Sequence, residues 1–215
     1  MIVSMNELDS MTRKAFRGAG YHWGEAEEAG KAAIWLARRG LPALAPILHL
    51  LNEAQARLPA MRPQKDAQRI KAAGGLLCPV LAGMALSDAA EELRPARQLQ
   101  LDPLCAPLLI APFLAAAAEA IPFRLVISSP AVNIEACGRD CAIQIHSEAA
   151  QDGSAILQAL DLQSPVHGSI TITDHLLTVQ PEKWDALSAF AARTYVPATA
   201  QSRLSGAGAG LSDQD

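Results

Sequence analysis

The sequence has 215 residues, 50% of them hydrophobic, 19% charged and 4% aromatic, with a formal net charge of −4. That composition supports a sizeable core and excludes a chain disordered throughout, which would need low hydrophobicity and high net charge. The 18 Lys and Arg residues are outnumbered by 22 Asp and Glu, so no nucleic-acid partner is expected, and the longest uncharged run, 103–118, is too short and too proline-broken to span a membrane.

At the amino end, Glu7, Asp9, Arg13 and Lys14 leave no room for an apolar export signal. A cytoplasmic protein is expected, with Cys78, Cys105, Cys137 and Cys141 as reduced thiols.

Ser4 and Glu7 have capping-box spacing, and Leu8, Met11 and Ala15 continue as one helical face until Gly18 to Gly20. A second helix runs from about Gly24 to Arg39, with Ala26, Gly30, Ala33 and Ala37 as a small-residue stripe suited to close contact. Pro42 fits the first turn of a third helix carrying Leu44, Ile47, Leu48 and Leu51. Residues 58–75 lose the apolar period and read as a loop or short exposed helix. Leu76 to Leu86 is apolar but broken by Pro79 and Gly83, with Ser87 as a cap for a short helix beyond it; 103–118 is a buried core segment.

After Pro122 the period changes to two. Phe123, Leu125 and Ile127 alternate, as do Val132, Ile134 and Ala136, then Cys141, Ile143 and Ile145. The last two sets form a hairpin. Pairing Ala136 with Cys141 puts Val132, Ile134, Ile143 and Ile145 on one face, which makes Cys141 a core thiol and Cys137 a turn residue. Ile156, Leu157 and Leu160 fit strand or helical turn, and Ile170 to Val179 suggests a second hairpin around Thr173 to His175. A closing helix begins at Pro181 with Trp184, Leu187 and Phe190 on one face. The order predicts an α+β fold with N-terminal helices, an antiparallel sheet built from hairpins in the second half, a C-terminal helix and a docked tail. It is read as one domain over 1–215, divisible into a helical part, 1–57, and a mixed part, 76–215.

Chemistry-bearing motifs are scarce. Gly206 to Gly210 lacks the strand and helix of a nucleotide loop, and the sequence has no G-x-S-x-G, H-E-x-x-H or C-x-x-C. Cys137, Cys141 and His146 invite a metal reading, but strand alternation sends Cys141 and His146 to opposite faces. No metal and no cofactor are expected. Glu25, Glu27 and Glu28 suit the positive end of the second helix. His49, within Leu48 to Leu51, reads as a satisfied core or interface histidine; His167 and His175 fall in loop and turn.

The opening Val3-Ser4-Met5-Asn6-Glu7-Leu8, the stretch Lys14 to Gly20 with Trp23 to Glu28, and the ending Tyr195 to Thr199 through Ser202-Arg203 to Gly206-Ala207-Gly208-Ala209-Gly210-Leu211-Ser212-Asp213 resemble an uncharacterised bacterial family, the domain of unknown function 3726. The resemblance implies a bacterial, cytoplasmic protein and supplies no activity. The first two helices are also similar to the amino-terminal helices of type 2 malate and lactate dehydrogenases. Arg39-Gly40-Leu41-Pro42 replaces the Ser-His-Gly element expected there, so that similarity stays with the helix pair.

Two functions fit this reading. One is a small-molecule binding protein or enzyme for a carboxylate or phosphate, its site completed by the tail, with Tyr195 as a wall, Arg203 as an anion clamp and Asp213 as a polar contact. The other is a non-catalytic accessory or assembly subunit that buries its Ala/Leu-rich helices in a homo-oligomer or against another protein.

Overall fold

The computed structural model describes residues 1–66, 68–95, 98–146, 152–160 and 176–195. A short strand, β1 (Ile2–Val3), leads into α1 (Met5–Gly18), and Ser4 and Glu7 form the expected capping box. The Glu7 N–H donates to Ser4 Oγ at 3.2 Å and the Ser4 N–H to Glu7 Oε2 at 2.7 Å, satisfying two otherwise free backbone donors. The α2 helix (Trp23–Arg38) buries its small stripe, Ala26, Gly30, Ala33 and Ala37. A Cβ on Gly30 would overlap Asp9 and Arg13, so the ion pair of α1 lies directly on that stripe. The α3 helix (Leu44–Arg57) starts two residues beyond Pro42 rather than at it; Pro46 occupies its first turn, where no intrahelical N–H bond is lost.

Residues 58–75 correct the expected loop or exposed helix. A 3₁₀ turn, Leu58–Met61, precedes a hairpin of β2 (Pro63–Lys65) and β3 (Arg69–Ala72), paired Pro63 with Ala72 and Lys65 with Ile70. Only Ile70 and Ala72 of β3 are buried, an alternation too short to register as a period. The α4 helix (Pro79–Asp88) takes Pro79 at its start and includes Ser87, whose hydroxyl donates to the Phe113 carbonyl at 3.2 Å instead of capping a helix. Within α4, Gly83 lets α5 (Ala111–Glu119) come close, since a Cβ there would lie 2.5 Å from Phe113 ring carbons. The core run 103–118 is buried almost throughout but divides into the end of β4 (Gln98–Cys105), a 3₁₀ turn (Pro107–Ile110) and α5.

The remaining strands are β5 (Arg124–Ser128), β6 (Val132–Cys137), β7 (Asp140–Ile145) and β8 (Asp152–Leu160). Among the described residues they join β2, β3 and β4 in a seven-stranded sheet ordered β2-β3-β4-β8-β5-β6-β7. The fold is α+β, with one correction: the sheet extends into the first half of the chain, and β3 and β4 run parallel, connected through α4. The β6–β7 register is the predicted one, Ala136 opposite Cys141 and Ile134 opposite Ile143, with Gly138 at φ +55° in the turn. Cys141 is buried and Cys137 half-buried, whereas Ile145, expected in the core with Val132, is 41% exposed.

A short β9 (Leu177–Thr178) pairs with β1, and α6 (Pro181–Ala192) packs against α1 and α3 with Leu187, Phe190 and Ala191 buried. The first arm and turn of the second expected hairpin, and the tail beyond Tyr195, lie outside the described residues. Among the described residues a single hydrophobic cluster links the helices to the inner face of the sheet. Among the described residues no helix is long and apolar enough to cross a membrane.

Candidate functional site

The site begins with an irregularity in β4. Between Leu101, paired with Ala155, and Leu104, paired with Gly153, β4 spends one residue more than β8. Asp102 and Pro103 fill this bulge. Proline has no N–H to give a ladder, so a break in pairing is the place for it. Asp102 is 6% exposed and anchors the bulge: its Oδ1 accepts from Arg69 Nε at 2.8 Å and also from Arg69 Nη2, and its Oδ2 accepts from the Ala72 N–H at 3.0 Å. The main chain is fixed on the other edge too, because the Leu77 N–H donates to the Pro103 carbonyl at 2.7 Å and the Cys105 N–H to the Leu77 carbonyl at 3.0 Å.

The extra residue brings Cys105, rather than Leu104, opposite Asp152. Immediately beyond, Ala106 stands at φ +49° and ψ +70°, a left-handed conformation that costs a residue with a Cβ about 1 kcal/mol or more. A bulge and a strained backbone position at adjacent places are features that collect at binding and catalytic sites.

His49 completes the group from α3. Its Nε2 donates to Asp152 Oδ1 at 2.8 Å, across 103 residues of sequence. One donor atom from each of His49, Cys105 and Asp152 lies within 4.8 Å of the other two. The three grade from surface to interior: the Asp152 side chain is 41% exposed, His49 22%, and Cys105 fully buried. Burial pushes the Cys105 thiol well up from its ordinary value, and the neighbouring Asp152 charge and its hydrogen bond push the same way; Arg57 opposes them. The thiol is therefore neutral here. Arg57 follows His49 by two helical turns on α3 and is ion-paired with Glu53, four residues before it.

Of the expected site residues only Tyr195 is described. Tyr195 follows α6, is 58% exposed and carries Lys14 Nζ at 5.9 Å from its ring centre; Arg203 and Asp213 lie outside the described residues. His49, read as a satisfied core or interface histidine, is half-buried and satisfied by a carboxylate on a distant strand. Glu25 works at a helix start as expected: it accepts from the His22 N–H at 2.8 Å and from both terminal nitrogens of Arg62, at 2.7 and 3.3 Å. Burial pushes its carboxyl up, but the Arg62 hydrogen bonds prevail and hold it below the usual range.

A second thiol, Cys78, is buried with its Sγ 3.4 Å from Tyr21 Oη. A separate cavity of about 430 Å³ opens between α2, α4 and α5, with Lys31, Trp35, Met84 and Phe113 in its wall. None of the three clustered residues lines it.

Residues 3–97 match the family model described as "Protein of unknown function (DUF3726)", the family expected from the terminal motifs. The match includes His49 and ends before Cys105 and Asp152. The crystal structure of malate dehydrogenase from Entamoeba histolytica is similar at a TM-score of 0.44 and 11% identity, over 72% of this chain. The chain covers 48% of that structure, about half its length. No curated protein matches the chain.

Proposed function

We propose that this chain is a small-molecule binding protein or enzyme whose ligand is a small anion, a carboxylate or a phosphate, held at the His49, Asp152 and Cys105 centre. The observation that supports this reading is convergence: three chemically active side chains from α3, β4 and β8 meet where β4 is bulged and Ala106 is strained. An imidazole oriented by a carboxylate is an arrangement suited to moving a proton to or from a bound molecule. Arg57, two turns further along α3, is the cation whose field reaches Cys105, and on exchanging Glu53 for the ligand its planar fork can hold a carboxylate or phosphate through two bonds. Tyr195, Arg203 and Asp213 enter this reading as tail contributions to the same ligand.

The test is thermal unfolding of the full chain against a panel of carboxylates and inorganic phosphate. A ligand at a hundred times its dissociation constant adds about 2.7 kcal/mol to apparent stability. The response should vanish in Arg57→Met and His49→Gln. Removal of residues 205–215 reports on the tail alone. Silence of the native protein across the panel removes the anion reading.

One observation favours the assembly reading. Ile156 and Leu160, four residues apart on β8, are 43% and 40% exposed on the central part of the sheet. Light scattering of the native chain and of an Ile156→Ser, Leu160→Ser variant separates the two: a multimer that falls to a monomer supports assembly through the sheet.

A further inference from the structure

We infer that His49, Cys105 and Asp152 form a binding site for a divalent transition-metal ion of the zinc class, with a fourth position left for water or ligand. The inference shares its residues with the functional reading above but goes beyond it, because a metal could bind with no anion present.

The donor set is one imidazole nitrogen, one sulfur and one carboxylate oxygen, all mutually within 4.8 Å. Zinc bonds of about 2.0–2.3 Å in a tetrahedron place neighbouring donors roughly 3.3–3.7 Å apart, so the 2.8 Å His49 to Asp152 contact opens by about half an ångström and a donor separation near the 4.8 Å limit closes by about 1 Å to seat the ion. Sulfur with imidazole and carboxylate fits zinc and its near neighbours rather than magnesium or calcium, which prefer oxygen alone. Charge agrees with the assignment. A thiolate and a carboxylate side by side repel each other, and a dication between them with a neutral imidazole gives a neutral group. On binding, the sulfur–metal bond replaces the S–H bond and that proton leaves to solvent; His49 gives up its Nε2 proton, takes one from solvent on Nδ1, and binds the ion through Nε2 as a neutral imidazole. No electron is transferred.

The backbone supports this geometry where it matters most. Cys105 and Asp152 face each other because of the bulge, whose Asp102 is tied to Arg69 and Ala72, and the Cys105 main chain is bonded to Leu77. Two of the three ligands are thus preset on a sheet and the third sits on a packed helix, which is the kind of rigid support a metal site needs. Three protein ligands with an open fourth position describe a site that can act on a ligand, not a closed structural one.

The experiment is a titration of the chelator-treated full chain with Co²⁺, then Zn²⁺. Expected is one Co²⁺ per chain with a thiolate-to-cobalt charge-transfer band, displaced by Zn²⁺. The band is lost in Cys105→Ser and kept in Cys137→Ser. His49→Gln and Asp152→Asn weaken Co²⁺ binding by at least the order of 10-fold that even outer-shell partners contribute. X-ray absorption of the Zn²⁺-loaded native chain, which needs no variant to fold, should show one sulfur among nitrogen and oxygen neighbours. Absence of the band in folded native chain, its survival in Cys105→Ser, or a zinc shell with no sulfur overturns the site. Anion-induced stabilisation of the metal-free chain, measured in parallel, separates this failure from failure of the anion reading.

Discussion

Cys105 stands opposite Asp152 because β4 carries one residue more than β8 between Leu101 and Leu104. The carboxylate that holds this bulge, Asp102, has Arg69 as its charged partner. Arg69→Met leaves a 6% exposed carboxylate with the Ala72 N–H alone; because the Arg69 side chain is itself half exposed, the expected loss of stability is about 2 kcal/mol, below that of a fully buried pair. Lys31→Met removes only an exposed pair with Glu28 and should cost about 0.5 kcal/mol or less. Urea unfolding of the two variants checks the contrast; equal losses would remove Asp102 as the anchor.

The left-handed backbone at Ala106 makes an unusual alanine-to-glycine prediction. Glycine relieves roughly 1 kcal/mol of strain and gives up a buried methyl of about 0.8 kcal/mol, so Ala106→Gly should be close to neutral. Ala33→Gly, in the buried interior of α2, loses on both counts and should cost about 1.5 kcal/mol or more. Ala106→Val adds a β-branch at positive φ and should cost more than about 2 kcal/mol. Chemical denaturation of the three variants gives the ranking, and a large loss in Ala106→Gly would contradict it.

Alkaline pH should destabilise the protein through Cys141. Burial pushes this thiol up to about 11 from the ordinary 9.0, with Arg39 pulling weakly the other way. A pKa raised on folding gives stability that is complete below about pH 9 and disappears as pH climbs through about 11, a total of up to about 3 kcal/mol. Cys141→Ala should remove its own share, up to about 1.4 kcal/mol per pH unit between about pH 9.5 and 10.5, from the decline in urea titrations, while Cys78 and Cys105, which burial also pushes up, keep theirs. An unchanged slope would show that Cys141 is not its source.

Thiol labelling distinguishes the four cysteines. Cys137 is half-buried at the β6–β7 turn, while Cys78, Cys105 and Cys141 are buried. A disulfide reagent at neutral pH should therefore react quickly with Cys137 and slowly with the others, and urea should bring all four to the same rate. Cys141 labelled as fast as Cys137 would refute the register.

Much of the fold is readable from short-range pattern. The Ser4 to Glu7 cap, the small stripe of α2 and the β6–β7 register each depend on side chains within a few residues of one another. The misreadings share a cause. Residues 63–72 offer two inward side chains, and Gln98–Cys105 alternates only as far as Leu101 before Asp102 and Pro103 break the phase. Period-based reading needs several repeats, and these strands supply too few.

The sequence by itself determined the helical start, the change to strand after Pro122 and the burial of Cys141, because helix caps and hydrophobic periods are properties of neighbouring residues. Only the tertiary structure decided the site. His49 and Asp152 are 103 positions apart, and Cys105 joins them through a bulge whose anchor, Asp102, is held by Arg69 on another strand. Each of these residues, read in its own neighbourhood, is an unremarkable member of a helix, a strand end or a strand start. Their chemistry follows from sheet order and from a one-residue offset in pairing, which are settled by packing of the whole chain and leave no local period to read.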